Sequence, residues 1–309
     1  MKRILPFVLL AGCAPITEYR YTGMTPAARP IAWDGYPSHA GELHGDVTIT
    51  HTAVNENLFP QIHDTALNVA ATTVEGNASI TPVRGLDVGL RWSYASIQWT
   101  EPTAVGTMPL PAGTNLFGIG PEIRGAFFCD HEKHFAIGLA ASAMLYQIPW
   151  AAYQLGGNVD GYTLINTGTD SDWTLAVGVY PSYSFGPDGR YGTLFGLLGA
   201  HTSFKNDGFT NTYSNGSTIT QDGFVPLVGA GYSIHAPYFH VGAMFYVPFT
   251  MDSTSWGPGM MLTMGIDLPL WKPHARPNPQ QQPMFQPQPE PQVEQPPEEP
   301  VPYAPSSTL

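Results

Sequence analysis

The chain has 309 residues, with 24 acidic against 12 basic side chains for a formal charge of −12, and only 12% of its residues are charged. This balance excludes a direct electrostatic hold on nucleic acid or anionic lipid headgroups, and no apolar run approaches the roughly 20 residues that a membrane-spanning helix needs. With 33 glycines and 31 prolines, the composition suits many short strands joined by turns.

The chain opens "MKRILPFVLLAGCAP": two basic residues, a short apolar run, then Leu10, Ala11, Gly12 and Cys13. This reads as a short secretory signal, too short to span a membrane. The quartet resembles the bacterial lipobox at all four positions. What the resemblance implies is a diacylglycerol thioether on Cys13, signal cleavage before it (residues 1–12) and N-acylation afterwards. Several acyl chains hold firmly, since each buried CH₂ contributes about 0.8 kcal/mol. Residues 13–42 then read as a lipidated linker in the envelope of a Gram-negative bacterium. Removing Lys2 and Arg3 moves the formal charge from −12 to −14. After lipidation Cys129 is the one remaining thiol, so the fold contains no internal disulfide.

Taken in chain order, period-2 alternation predicts ten strands, near 43–53, 73–82, 85–98, 114–128, 133–148, 172–185, 190–204, 223–235, 237–249 and 259–271. The connections after the even-numbered strands are short: "VRG", "DHEK", "GPDG" and "AP". Those after the odd-numbered strands, through 54–72, 99–113, 149–171, 205–222 and 250–258, are long and polar. Sorting by parity is expected of a transmembrane β-barrel, with tight periplasmic turns, longer extracellular loops and an even strand count. The predicted fold is therefore an all-β antiparallel barrel over residues 43–271, in the outer membrane, with both termini periplasmic. A soluble, lipid-tethered β-sandwich binding protein is the alternative fold.

In "GLDVGLRWSYASI", Leu86, Val88, Leu90, Trp92 and Tyr94 share one face, while Asp87, Gly89, Arg91, Ser93 and Ala95 share the other. Phe117, Ile119, Ile123 and Phe127 alternate with Gly118, Gly120, Glu122, Arg124 and Ala126, and Leu262 to Leu270 alternate with Thr263, Gly265 and Asp267. The second sets are too small and polar for a dry sandwich core, so the apolar sets are expected to face lipid. Asp87, Arg91, Glu122, Arg124 and Asp267 then form a polar network in the lumen, with Arg91 and Glu122 expected to pair. Aromatics cluster at both strand ends: Trp92, Tyr94, Trp99, Trp150, Trp173, Phe224 and Trp256 toward the loops, and Phe127, Phe135, Phe185, Tyr191, Tyr238 and Trp271 toward the turns. The final strand, "GMMLTMGIDLPLW", resembles the aromatic-ended terminal strand of bacterial outer-membrane barrels, although more chain follows it. The resemblance implies the barrel insertion machinery as a partner.

From Lys272 to Leu309 the chain is rich in Pro, Gln and Glu. It reads as a disordered, solubilising periplasmic tail biased to polyproline II, with a spacer or docking strand for a periplasmic or cell-wall partner as the sharper alternative. The turn "CDHEKH" (Cys129, Asp130, His131, Glu132, His134) gathers metal-capable residues at spacings that read as an ordinary polar turn. "DSD" (Asp170, Asp172) resembles half of an omptin-like protease site. His63 and His201 lack the second half's spacing, and His201 with Ser203 only loosely resembles a lipid A-modifying rim. No cofactor, metal or nucleic-acid signature is read, and the expected partners are outer-membrane lipid and lipopolysaccharide. The function expected is a lipid-anchored outer-membrane barrel with a structural, interaction or limited small-solute transport role. A rim-active hydrolase is the alternative class.

Overall fold

Alternating segments fold into strands because side chains at i and i+2 then share a face, and this chain has one apolar and one polar set to separate. A computed structural model describes residues 19–54, 65–96, 110–111, 113–155, 162–186, 191–206, 219–249 and 256–270. Twelve strands are present among them: β1 Tyr19–Pro26, β2 Glu42–Val54, β3 Thr65–Ala70, β4 Thr72–Val83, β5 Leu86–Ser96, β6 Asn115–Phe128, β7 Phe135–Leu155, β8 Tyr162–Ser184, β9 Thr193–Asn206, β10 Ile219–Ala236, β11 Phe239–Pro248 and β12 Trp256–Pro269. Ten form an antiparallel ladder in the order β7-β6-β5-β4-β2-β12-β11-β10-β9-β8, and β8 returns to pair with β7. The sheet is thus a closed ten-stranded barrel with no free edge. The seam between first and last barrel strands is in register from Gly259↔Thr52 to Pro269↔Glu42, with a bulge between Gly259 and the Trp256↔Val54 pair.

Which face meets which medium is set by the side chains. Along β6, Phe117, Ile119, Ile123 and Phe127 point out and are exposed, while Leu116, Glu122, Arg124 and Ala126 point in and are buried. Along β5, Leu90 is 56% exposed whereas Arg91 is 5%. An apolar outside around a polar inside is the arrangement of a barrel solvated by lipid. Exposed Trp173 and Phe224 lie toward the long loops, and exposed Phe127, Phe135, Phe185, Tyr191 and Tyr238 toward the turns. The Cys129–Phe135 turn is fastened by the Asp130 carboxylate, which accepts the backbone N–H groups of His134 (2.9 Å) and Phe135 (2.8 Å).

Residues 19–41 depart from the expected periplasmic linker. β1 pairs antiparallel with the loop end of β7, from Tyr19↔Gln154 to Gly23↔Trp150, and parallel with β3, from Tyr21↔Thr65 to Pro26↔Ala70. The chain then descends inside the barrel. Met24, Ala27, Ala28, Arg29 and Ile31 are all buried. Ile31 accepts a hydrogen bond from the Tyr180 hydroxyl (2.7 Å), Asp34 meets Ser233 and His235, and Ser38 bonds Asp87 before Gly41 leads into β2. The described N-terminal segment therefore reaches the first barrel strand from inside, entering at the loop end, which corrects the expectation that the N-terminus approaches from the turn side. The signal lay in alternation too brief and too broken by Pro26 and Pro30 to register as an element.

Two other expectations change. The 149–171 connection is mostly strand, because β7 and β8 stay paired from Phe135↔Tyr183 out to Leu155↔Tyr162. Trp150, expected in the outer aromatic girdle, is buried with Met24, Tyr146 and Tyr153 in a small apolar core at the loop end. The lumen also has an apolar wall, where Tyr180, Phe195, Leu197, Leu227, Met244, Tyr246 and Met261 pack against Ala27, Ala28 and Ile31. The descending segment is thus two-sided, with small apolar residues toward this wall and Arg29 toward the polar one.

Candidate functional site

The polar wall is built from inward residues of β2, β4, β5 and β6, which the ladder places side by side. Gly89↔Glu122 and Asp87↔Arg124 pair across β5 and β6, and Asn77↔Arg91 across β4 and β5. Charges of opposite sign alternate through it. One Glu75 oxygen takes the Arg29 Nε–H, and the other takes the Arg91 guanidinium at 2.6 Å. Arg91 stands 3.9 Å from Glu122, Glu122 accepts from Arg124 Nε (2.6 Å) and Asn77 (2.9 Å), and Arg124 reaches Asp46 at 3.2 Å. Arg29 also donates to Ser93 (2.7 Å) and Tyr146 (2.6 Å), and Arg91 to the Pro30 carbonyl (3.2 Å). Buried charges need partners and satisfied hydrogen bonds, and here each cation faces a carboxylate. The expected Arg91–Glu122 pair is the longest link, because Glu75 and Arg29, which sequence reading did not single out, take the nearer positions.

At the turn end the segment stands away from β2 and β10–β12, leaving a cavity of about 700 Å³ lined by Trp33, Tyr36, Asp87, His235, His240 and Asp267 among others. Two imidazoles share Asp267: His44 Nδ1 at 2.6 Å and His240 Nδ1 at 3.0 Å. The opposite nitrogen of His44 meets the Thr81 hydroxyl (2.8 Å), and that of His240 lies 3.1 Å from Asp46. The Asp34 carboxylate accepts from Ser233 (2.5 Å) and the Tyr36 N–H (2.9 Å) and sits 2.5 Å from His235 Nε2. His235 and His240 stack with ring centroids 5.6 Å apart. Ligand atoms of His235, His240 and Asp267 lie within 4.8 Å of one another, so these residues have the types and spacing to hold a metal ion. Both His240 nitrogens already face carboxylates, those of Asp267 and Asp46.

Asp170 and Asp172 lie on β8 at the loop-end rim, opposite Ile148 and Tyr146, and the Asp172 carboxylate accepts the Trp173 N–H (2.7 Å). His201 is buried inside β9, and its Nδ1 has no hydrogen-bond partner among the described residues. No described contact joins it to either aspartate. Cys13 and His63 lie outside the described residues, as do Trp99, Trp271 and the tail 272–309.

No protein-family model matches the chain, and no curated protein matches it. Among solved structures, similarity is found to Ail, the attachment invasion locus protein of Yersinia pestis, crystallised with the heparin analogue sucrose octasulfate. That match has 12% identity and a TM-score of 0.22, covering 74% of this chain and 99% of that one. The translocator domain of the autotransporter NalP from Neisseria meningitidis matches at 8% identity and a TM-score of 0.31, covering 74% of this chain and 89% of that one. The barrel assignment rests on the closed ladder and its apolar outer face.

Proposed function

We propose that this protein is a lipid-anchored outer-membrane barrel that is stoppered by its own N-terminal segment and serves a structural or interaction role. The observation that carries the reading is Arg29: it lies inside the barrel, 1% exposed, bonded to Glu75, Ser93 and Tyr146 from three different wall strands. On this reading the segment closes the lumen to solutes at the level of Arg29. The parity of the connections supports turns in the periplasm and loops outside. The lipobox-like "LAGC" supports acylation of Cys13, and the Pro-rich tail supports a periplasmic or cell-wall partner. Catalysis is no part of this reading.

The test is single-channel recording in planar bilayers. The full-length protein is expected to give no steady conductance, while a variant lacking residues 24–34 conducts in defined steps once heat-modifiable gel mobility shows that its barrel has folded. A wild-type protein with a stable open level would refute the stoppered reading and favour limited small-solute transport.

A further inference from the structure

The route of the N-terminal segment fixes where a lipid on Cys13 can sit. Three observations bear on it. First, β1 joins β7 at Trp150 to Gln154, beyond Gln147, where the recorded β6–β7 pairing ends, so it stands on the loop-end extension above the wall. Second, from Met24 down to Gly41 the chain occupies the lumen and leaves it only at the turn end, where the Gly41 N–H bonds the Thr81 carbonyl and β2 begins. Third, the six Cα-to-Cα steps from Cys13 to Tyr19 reach at most about 20 Å. The hydrocarbon layer is about 30 Å thick. A lipid at Cys13 therefore cannot reach the turn-side leaflet by crossing the bilayer outside the barrel. Nor can it return through a lumen that its own chain occupies, held across it at Arg29 by Glu75, Ser93 and Tyr146.

We infer that the acylated Cys13 emerges at the loop end, so that its acyl chains lie in the outer leaflet and the N-terminus is displayed at the cell surface. This rests on the proposed lipidation and on the proposed orientation of the barrel. It assigns the anchor to the leaflet opposite the one that a periplasmic N-terminus would use. It also sets an order of assembly: a chain tied into β2 at one end and bearing acyl chains at the other must lie across the barrel before β2 and β12 close the seam, because neither end passes an occupied lumen afterwards.

The experiment places a short epitope in the full-length protein at one of three sites: after Ile16, after Gly216 in the β9–β10 connection, or after Leu309. Intact and permeabilised cells are stained, each variant is checked for heat-modifiable barrel mobility, and an alkyne fatty acid is used to label the wild type and Cys13→Ser. Expected is equal staining of the Ile16 and Gly216 tags on intact cells, staining of the Leu309 tag only after permeabilisation, and fatty-acid label that Cys13→Ser abolishes. An Ile16 tag hidden on intact cells while the Gly216 tag stains overturns the surface display alone. Staining of the Leu309 tag with a hidden Gly216 tag overturns the orientation beneath it. Absence of fatty-acid label from the wild type overturns the lipoprotein reading, whichever side the tags report.

Discussion

Replacing Arg29 by methionine tests whether the N-terminal segment is held in the lumen by charge. In the intact protein Glu75 is 2% exposed and bracketed by Arg29 on one carboxylate oxygen and Arg91, at 2.6 Å, on the other. Removing one partner of a buried pair leaves a charge that desolvation has made expensive, so Arg29→Met is expected to destabilise the barrel by about 3 to 5 kcal/mol. Glu75→Gln leaves two guanidinium groups facing each other and should lose a similar amount. The double variant removes one charge of each sign, and coupling within a contacting pair should return about 1 to 3 kcal/mol of the summed losses. The same logic ranks the neighbouring links. With an effective dielectric of about 20, a contact at 2.6 Å is worth about 6 kcal/mol and one at 3.9 Å about 4 before desolvation offsets both. Arg91 is therefore expected to couple more strongly to Glu75 than to Glu122. Double-mutant cycles on urea unfolding in detergent micelles measure these quantities. Additivity within about 0.5 kcal/mol for Arg29 and Glu75 would refute the reasoning, because a segment lying outside the barrel could not couple to β4.

On the lipid face, Leu90→Arg is expected to cost about 2 to 4 kcal/mol if Leu90 sits near the bilayer midplane, and unfolding from lipid vesicles measures it; a silent change would mean that Leu90 does not face lipid. Inside, a Cβ on Gly138 would stand 2.6 Å from the Gly35 Cα and 2.8 Å from the Trp33 ring. Gly138→Val should thus displace the segment, lower stability by about 1 to 3 kcal/mol and raise bilayer conductance. Cys129 is exposed at a turn, and a membrane-impermeant maleimide is expected to label it only after the outer membrane is permeabilised; labelling on intact cells would invert the barrel.

The strands were legible because alternation survives in single sequences wherever a wall separates two media. Phe117 to Phe127 and Leu86 to Tyr94 show it without interruption, and loop parity supplied the closed, even-stranded topology. The stopper was not legible. Its residues satisfy two walls at once, with Ala27, Ala28 and Ile31 against apolar side chains and Arg29 against Glu75, so no period of two or of 3.6 develops. Glu75 was not singled out, although it lies within the predicted strand 73–82 beside Gly76. In the structure that glycine lies in β4 opposite Val47 and Trp92. His235 and His240 belong to two strands joined by a tight turn, and Asp267 comes from a third. Their convergence depends on barrel stagger, which local spacing does not encode. Gly35 is a similar case: its φ of +74° and a backbone that passes directly against the Tyr180 carbonyl are set by the wall that it crosses.

A stopper drawn from the same chain binds at the effective concentration of a tethered ligand, which its short connection to β2 keeps high. Its retention then depends on the two ends. Withdrawal toward the loops would pull Glu42 and Leu43 out of a seam that pairs β2 with β12 on one side and β4 on the other. Withdrawal toward the turns would draw β1 away from both β7 and β3 and, under the proposed anchor, drag acyl chains into a lumen crowded with charges, at about 0.8 kcal/mol per CH₂ removed from lipid. Both directions are blocked by terms independent of the Arg29 contacts. Loss of those contacts should therefore loosen the segment inside the barrel without releasing it, so that Arg29→Met flickers between conductance levels where deletion of residues 24–34 stays open.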